Sequence, residues 1–325
     1  MPALPALPDF LIPLPDQVYA IDTGFARTHF DAAYLLVSNG RAAFIDTGHN
    51  AAVPRLLAAL DALGLARDAV DWVIPTHVHL DHAGGLGLLV SQLPQAQVLS
   101  HPRGARHLID PSALVAGARA VYGEAEVART YGELVPVPAE RMVQSTDDMT
   151  LDWAGRPLRL IDTPGHARHH HCIWDATSRG WFTGDTFGIS YPEFTNASGD
   201  FIFASCTPVQ FEPAAMRTSI QRMLNAQPVC IYPTHFSRRE QPEALARQIF
   251  EQLDAIEAAG EQLRTTTANG SPERHDGLRH HMQAILLNAA RRAGSPLDDA
   301  TALTLLGMDV ELNAQGMGVW LDKLG

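Results

Sequence analysis

Thr76-His77-Val78-His79-Leu80-Asp81-His82-Ala83-Gly84-Gly85 places four side chains able to bind a metal within six positions. The apolar run Trp72-Val73-Ile74 leads directly into it. A strand ending in such a turn throws three imidazoles and a carboxylate into one small volume. Neutral nitrogens with an oxygen are the donor set that borderline cations such as zinc prefer. The alternative is a solvated histidine-rich loop, and residues further along the chain weigh against it.

Further along the chain, Thr163-Pro164-Gly165-His166 follows the strand-like run Leu158-Arg159-Leu160-Ile161. Thr183-Gly184-Asp185 follows Trp181-Phe182, and Thr234-His235 closes Val229-Cys230-Ile231-Tyr232-Pro233. Each is a short apolar run that stops at turn residues and then presents a ligand-type side chain. Strand ends that converge in this way give a rigid scaffold for a site carried on loops. Alone, His166, Asp185 or His235 would read as a capping or hydrogen-bonded residue. The joint pattern favours ligands.

The ordered series, preceded by Ile45-Asp46-Thr47-Gly48, resembles the metallo-β-lactamase-fold hydrolase superfamily over residues 17–237. The resemblance implies an α+β (α/β) fold, a four-layer αββα sandwich holding two metals at one edge. Carried over motif by motif, it implies His77, His79 and His166 on one metal, and Asp81, His82 and His235 on the other. Asp185 would bridge the two, and Asp46 would hold a ligand from behind by hydrogen bonding. A histidine four positions after the motif histidine also occurs in the glyoxalase II branch, which implies a supporting role for His170.

Such a site activates water. Two cations about 3.5–4 Å apart share a water, lower its pKa towards neutrality and so make a bridging hydroxide. Asp185 can reach both ions, and Asp81 can accept and pass on a proton as well as bind. A covalent intermediate is not expected: there is no G-x-S-x-G elbow, and Cys172, Cys206 and Cys230 have no paired spacing. Zinc is the first expectation for the two divalent ions, with iron or manganese compatible with the same ligands.

Composition narrows the class. The 325 residues can bury a large core, and three cysteines argue against a disulfide framework. Met1 to Pro15 lacks a basic region ahead of its apolar residues, and no run approaches the roughly 18 apolar residues of a membrane span. A cytoplasmic protein without membrane contact is expected. The net charge of −12 and a single lysine, Lys323, give no basic patch for nucleic acid. A small-molecule substrate is expected instead, together with a possible homodimer.

Residues 1–238 read as the catalytic domain. Val18 to Ile21, Tyr34 to Val37 and Ala42 to Ile45 read as opening strands, with Asn39-Gly40 as a hairpin turn. Val53, Leu56, Leu57, Leu60 and Leu63 read as a helix stopped by Gly64. The gap from His79 to His166 is 166 − 79 = 87 positions and accommodates an inserted helical lid at 105–140. Between Asp185 and His235 the chain is rich in aromatics. Phe187, Tyr191 and Phe194 are candidates for an apolar substrate pocket, with the Tyr191 hydroxyl available to a developing oxyanion. Leu245, Ile249, Leu253 and Ile256, then Leu278, Met282, Ile285 and Ala289, and finally Ala302 to Leu306 predict a helical subdomain at 239–325. Two roles are open to it, pocket wall or dimer contact. His280 and His281 are adjacent on a helix and point apart, which suits the surface.

Within the superfamily, secreted β-lactamases lack the bridging Asp that Asp185 supplies. Lactonases of acyl-homoserines carry a Tyr where Gly188 stands here, and single-iron sulfur dioxygenases use fewer ligands. The leading expectation is a dinuclear-metal-dependent hydrolase of a small organic ester, lactone or thioester. The alternatives are a phosphodiesterase on the same site and a single-iron, sulfur dioxygenase-like redox enzyme.

Overall fold

Nearly every residue of Ala32–Ser38 and Arg41–Ile45 is apolar, the pattern of strands covered on both faces rather than half-solvated. The two strands are joined by Asn39-Gly40, both at positive φ (48° and 75°), as a two-residue turn matched to strand twist requires. The computed structural model describes residues 7–197 and 199–324, and the chain forms two compact units.

The first unit comprises residues up to 162, then 169–184 and 234–238. Its larger sheet has seven strands in chain order: β1 (Leu11–Leu14), β2 (Val18–Asp22), β3 (Ala32–Ser38), β4 (Arg41–Ile45), β5 (Val70–Ile74), β6 (Gln97–Ser100) and β7 (Met142–Gln144). Pairing is antiparallel as far as β4 and parallel from there on. Parallel neighbours need crossovers. Helix α1 (Val53–Ala62) supplies the first, α2 (Leu80–Ala83) and α3 (Leu86–Ser91) the second, and α4 (Pro102–Ile109), α5 (Ser112–Tyr122) and α6 (Glu124–Tyr131) the third. Val53, Leu56 and Leu60 of α1 are buried in the main apolar core, with Leu57 and Leu63 packed at its margin.

Four further antiparallel strands belong to this unit: β8 (Met149–Leu151), β9 (Leu158–Asp162), β10 (His171–Asp175) and β11 (Gly180–Gly184). Buried Arg156 ties these strands to the first sheet. It bonds both oxygens of Asp175 at 3.0 and 2.6 Å and also donates to the carbonyls of Asp16 and Val37. Burial alone would raise the Asp175 carboxyl, and the bonds from Arg156 and Ser178 together outweigh it and hold it below the usual range.

Within residues 105–140 the helices end at Tyr131 and 132–138 are irregular; Val127 and Tyr131 pack against Leu80 with Phe25 alongside. The segment therefore rests on the residue between His79 and Asp81. Asn50 anchors its far end by donating to the carbonyls of Tyr131 and Glu133.

The second unit comprises residues 163–168, 185–233 and 239 onward. It contains α7 (Pro213–Leu224), the paired strands β12 (Cys230–Pro233) and β13 (Arg239–Glu240), α8 (Pro242–Thr266), α9 (Pro272–Arg292) and α10 (Asp299–Leu324). The extended chain at 202–206 pairs with Ile189 at Phe203, and two buried amides bond backbone groups on either side of that bridge. Gln252 of α8 accepts from Ala204 N and donates to Ile202 O. Asn313 of α10 accepts from Cys206 N and donates to Ala204 O. Gly316 lets α10 approach so closely that a Cβ there would sit 1.6 Å from the Cys206 carbonyl oxygen. The final helix is longer than the stretch Ala302 to Leu306 predicts. Gly307, Gly316 and Gly318 weaken its helical signal, and close packing selects at least Gly316. Among the described residues, no helix is long and apolar enough to cross a membrane.

Candidate metal centre

The site in the first unit begins with strand register. β4 and β5 run parallel with Ile45 beside Ile74, and Asp46 N donates to Ile74 O at 3.1 Å. The chain then leaves both strands at their carboxyl ends, where open α/β sheets place their ligands. Asp46 turns at φ 55°, and Pro75 helps to end the second strand. This brings the Asp46 carboxylate against Thr76, whose N and Oγ1 lie 2.6 and 2.9 Å from it. Asp46 also receives Thr234 Oγ1 at 2.8 Å and faces His82 Nδ1 at 3.0 Å.

These contacts set the imidazole tautomers. Asp46 Oδ2 accepts from both Thr76 and Thr234, and with His82 Nδ1 as its third donor the ring presents the Nε2 lone pair. His235 Nδ1 lies 2.9 Å from the Phe30 carbonyl, which likewise can only accept, and its Nε2 faces Asp81 Oδ2 at 3.5 Å. Thr76 Oγ1 gives its one proton to Asp46 and so accepts from His77 Nδ1 at 3.1 Å. His77 Nε2 is thereby left as a lone pair 2.9 Å from His79 Nδ1. Ligand atoms of Asp81, His82 and His235 lie within 4.8 Å of one another. Converging lone pairs beside a carboxylate repel each other unless a cation or a proton lies among them, so this donor set fits a divalent metal ion.

In the second unit, His166 and Asp185 lie together, with Nε2 and Oδ2 3.7 Å apart, and both are buried. His166 Nδ1 is 3.3 Å from the Ser205 carbonyl, which again leaves Nε2 as the presenting nitrogen. Gly165 at φ 139° lets the Thr-Pro-Gly-His turn meet α7: a Cβ there would lie 2.4 Å from Met216 Cα.

His170 packs its ring 4.9 Å from that of His77, and its Nε2 occupies the space left by Gly184. A Cβ at Gly184 would come within 2.5 Å of that nitrogen and 2.6 Å of Thr76 Oγ1, which explains glycine in Thr-Gly-Asp. The neighbouring His171 is wholly buried. Burial, aided by His101, pushes it down to about 4, so it is neutral at ordinary pH. Tyr191, Phe187 and Phe194, the expected pocket residues, are fully buried in the second unit. Tyr191 donates to both oxygens of Asp309 at 3.1 Å, and Phe194 packs at a tilt against Phe201. Aromatic content alone does not separate a pocket wall from a core, and the structure places these three in packed surroundings.

Asp31 is absent from the sequence-derived set, its only signal being an acid at the mouth of an apolar strand. Neither of its oxygens has a hydrogen-bond partner among the described residues, and the residue is fully buried. Burial, partly offset by His235 and His82, pushes its carboxyl up to about 8. In metal-free protein, a raised acid contributes its full stability below the unfolded value of 3.8 and loses it as pH climbs towards about 8. Chelator-treated protein is therefore expected to lose melting temperature between pH 5 and 8. Asp31→Asn should flatten that slope and melt higher than wild type at pH 8. Thermal melts of both proteins across this range check it, and an unchanged slope in the variant refutes the assignment.

The sequence profile of the Metallo-beta-lactamase superfamily matches residues 28–235. A hydroxyacylglutathione hydrolase from Cupriavidus taiwanensis is 29% identical over 275 residues, 80% of this chain and 86% of that protein. An atrochrysone carboxyl ACP thioesterase from Aspergillus fumigatus is 27% identical over 187 residues, 57% of this chain and 49% of that protein. Several curated relatives are matched over less than two thirds of their own length: 49% for this thioesterase and 61% for a metallo-beta-lactamase fold-containing protein of Sulfurisphaera tokodaii. The crystal structure of an archaeal superfamily protein from Sulfolobus tokodaii superposes with a TM-score of 0.64 at 19% identity, covering 94% of this chain and 99% of that one. That likeness speaks for the fold.

Proposed function

The chain belongs to the metallo-beta-lactamase superfamily, and from that premise we propose that it is a dinuclear-metal-dependent hydrolase of small organic acyl compounds, thioesters foremost. His77, His79 and His166 would hold one cation, Asp81, His82 and His235 the other, and Asp185 would span both. The matched span, 28–235, contains all seven residues. The observation that carries the reading is the acceptor placed behind each of His77, His82 and His235, which leaves the Nε2 lone pair of all three to be presented. The bound cations would supply Lewis acidity, lowering the pKa of a water and polarising the acyl carbonyl under attack.

The chain's own groups do the rest. Asp46 and the Phe30 carbonyl orient His82 and His235. Asp81, whose side chain is 25% exposed, has a carboxylate open to take the proton of an attacking water and return it to a leaving thiolate or alkoxide. Thioesters come first among ester, lactone and thioester because the names of two relatives describe acyl-sulfur substrates. We take zinc as the first candidate metal and a small molecule as the partner.

Purified protein loaded with zinc or manganese is expected to hydrolyse short acyl thioesters, to lose that turnover on chelation and to regain it when metal is restored. Turnover that survives metal removal would overturn the proposal. So would a single iron per chain with oxygen consumption, which would favour the redox reading.

A further inference from the structure

The geometry points to His171 as a positioning residue of the metal centre: with Ser145 it clamps the Pro75–Thr76 backbone from which His77 and the bonds to Asp46 are set. This inference rests on the metal-centre reading above. Three hydrogen bonds define the clamp. His171 N donates to Thr76 O at 2.9 Å, and His171 Nε2 lies 2.8 Å from Pro75 O. His171 Nδ1 lies 2.9 Å from Ser145 Oγ. A carbonyl can only accept, so the imidazole proton is on Nε2, and the Ser145 hydroxyl must donate to Nδ1. Ser145 is itself fixed, its N donating to Ser100 O at 2.9 Å. The serine therefore locks the tautomer that holds Pro75, and Pro75 and Thr76 precede His77 directly.

The surroundings argue for positioning over simple filling of space. A cavity of about 340 Å³ lies against His171 and Ser145 and is lined also by His101, Arg103, Asp147 and Asp162. One side of the clamp thus borders a cavity with mixed polar and apolar walls, Leu160 and Ile161 among them, and not close-packed core. Thr76 is the point where the clamp meets the metal set, because its N and Oγ1 bond Asp46 and its Oγ1 also meets His77 Nδ1. Partners that orient ligands in this way are worth about 10–100-fold in metal affinity.

Three substitutions separate the roles. In His171→Gln the amide nitrogen can still donate to Pro75. In His171→Asn the amide oxygen can still accept from Ser145 but nothing reaches Pro75. His171→Phe retains a ring and neither bond. Zinc affinity by chelator competition and the visible spectrum of the cobalt-substituted protein are the readouts, with no activity assay involved. We expect His171→Gln to stay within about threefold of wild type, and Asn and Phe to lose about 10–100-fold with a shifted cobalt spectrum. Ser145→Ala, which removes one oxygen and should fold whatever happens at position 171, is expected to lose a smaller but measurable factor. Wild-type affinity and spectrum in both Phe and Ala variants overturn the inference, as does a Gln variant as weak as Phe. Failure of the wild-type protein to bind zinc would instead overturn the metal-centre reading beneath it.

Discussion

Asp185→Ala is expected to lower turnover of an acyl substrate by at least about 10³-fold and to reduce bound metal below two ions per chain. Groups that merely support ligands typically cost 10–100-fold when removed, and a carboxylate proposed to touch both ions should exceed that range. The residue is buried next to His166, with the nearest atoms 3.7 Å apart. Asp185→Asn is the sharper control, because it preserves volume and one oxygen while removing the charge that balances two cations. Steady-state kinetics with metal analysis on the same preparations check the outcome. Near-normal turnover in the alanine variant would refute the bridging role.

Asp46→Ala should damage both folding and metal binding. Asp46 is fully buried and receives Thr76 N, Thr76 Oγ1, Thr234 Oγ1 and His82 Nδ1. Its loss leaves those donors buried without an acceptor, at a cost of about 3–5 kcal/mol by comparison with broken buried pairs. It also frees the His82 ring, so zinc affinity should fall about 10–100-fold. Thr234→Val removes a single bond and should cost only about 1 kcal/mol. Chemical denaturation of metal-free protein, paired with chelator competition, separates the two effects. An Asp46→Ala variant no less stable than Thr234→Val would show that the carboxylate does not organise this turn.

Much of this was legible in the chain because it is local. Three histidines and an aspartate within six positions must share a neighbourhood whatever the fold does. The Asn39-Gly40 turn is fixed by φ preference, and the α1 face by residue period. The pocket reading of Tyr191 shows where local evidence stops. A tyrosine among phenylalanines satisfies a pocket and a core equally, and its partner, Asp309, is 118 positions away.

The inventory of donors and the turns that expose them can be read from the chain alone, since both follow from side-chain chemistry and short-range backbone preference. Long-range packing selects the nitrogen that His77, His82 and His235 present, the acid that is buried without a hydrogen bond among the described residues, and the groups that brace the turn before His77. His235 takes its tautomer from the Phe30 carbonyl 205 positions away, Asp46 meets Thr234 across 188, and Pro75 meets His171 across 96. Contacts at such separations are selected by the packing of the whole core, and a hydrogen bond between distant residues leaves no periodicity for a linear pattern to carry.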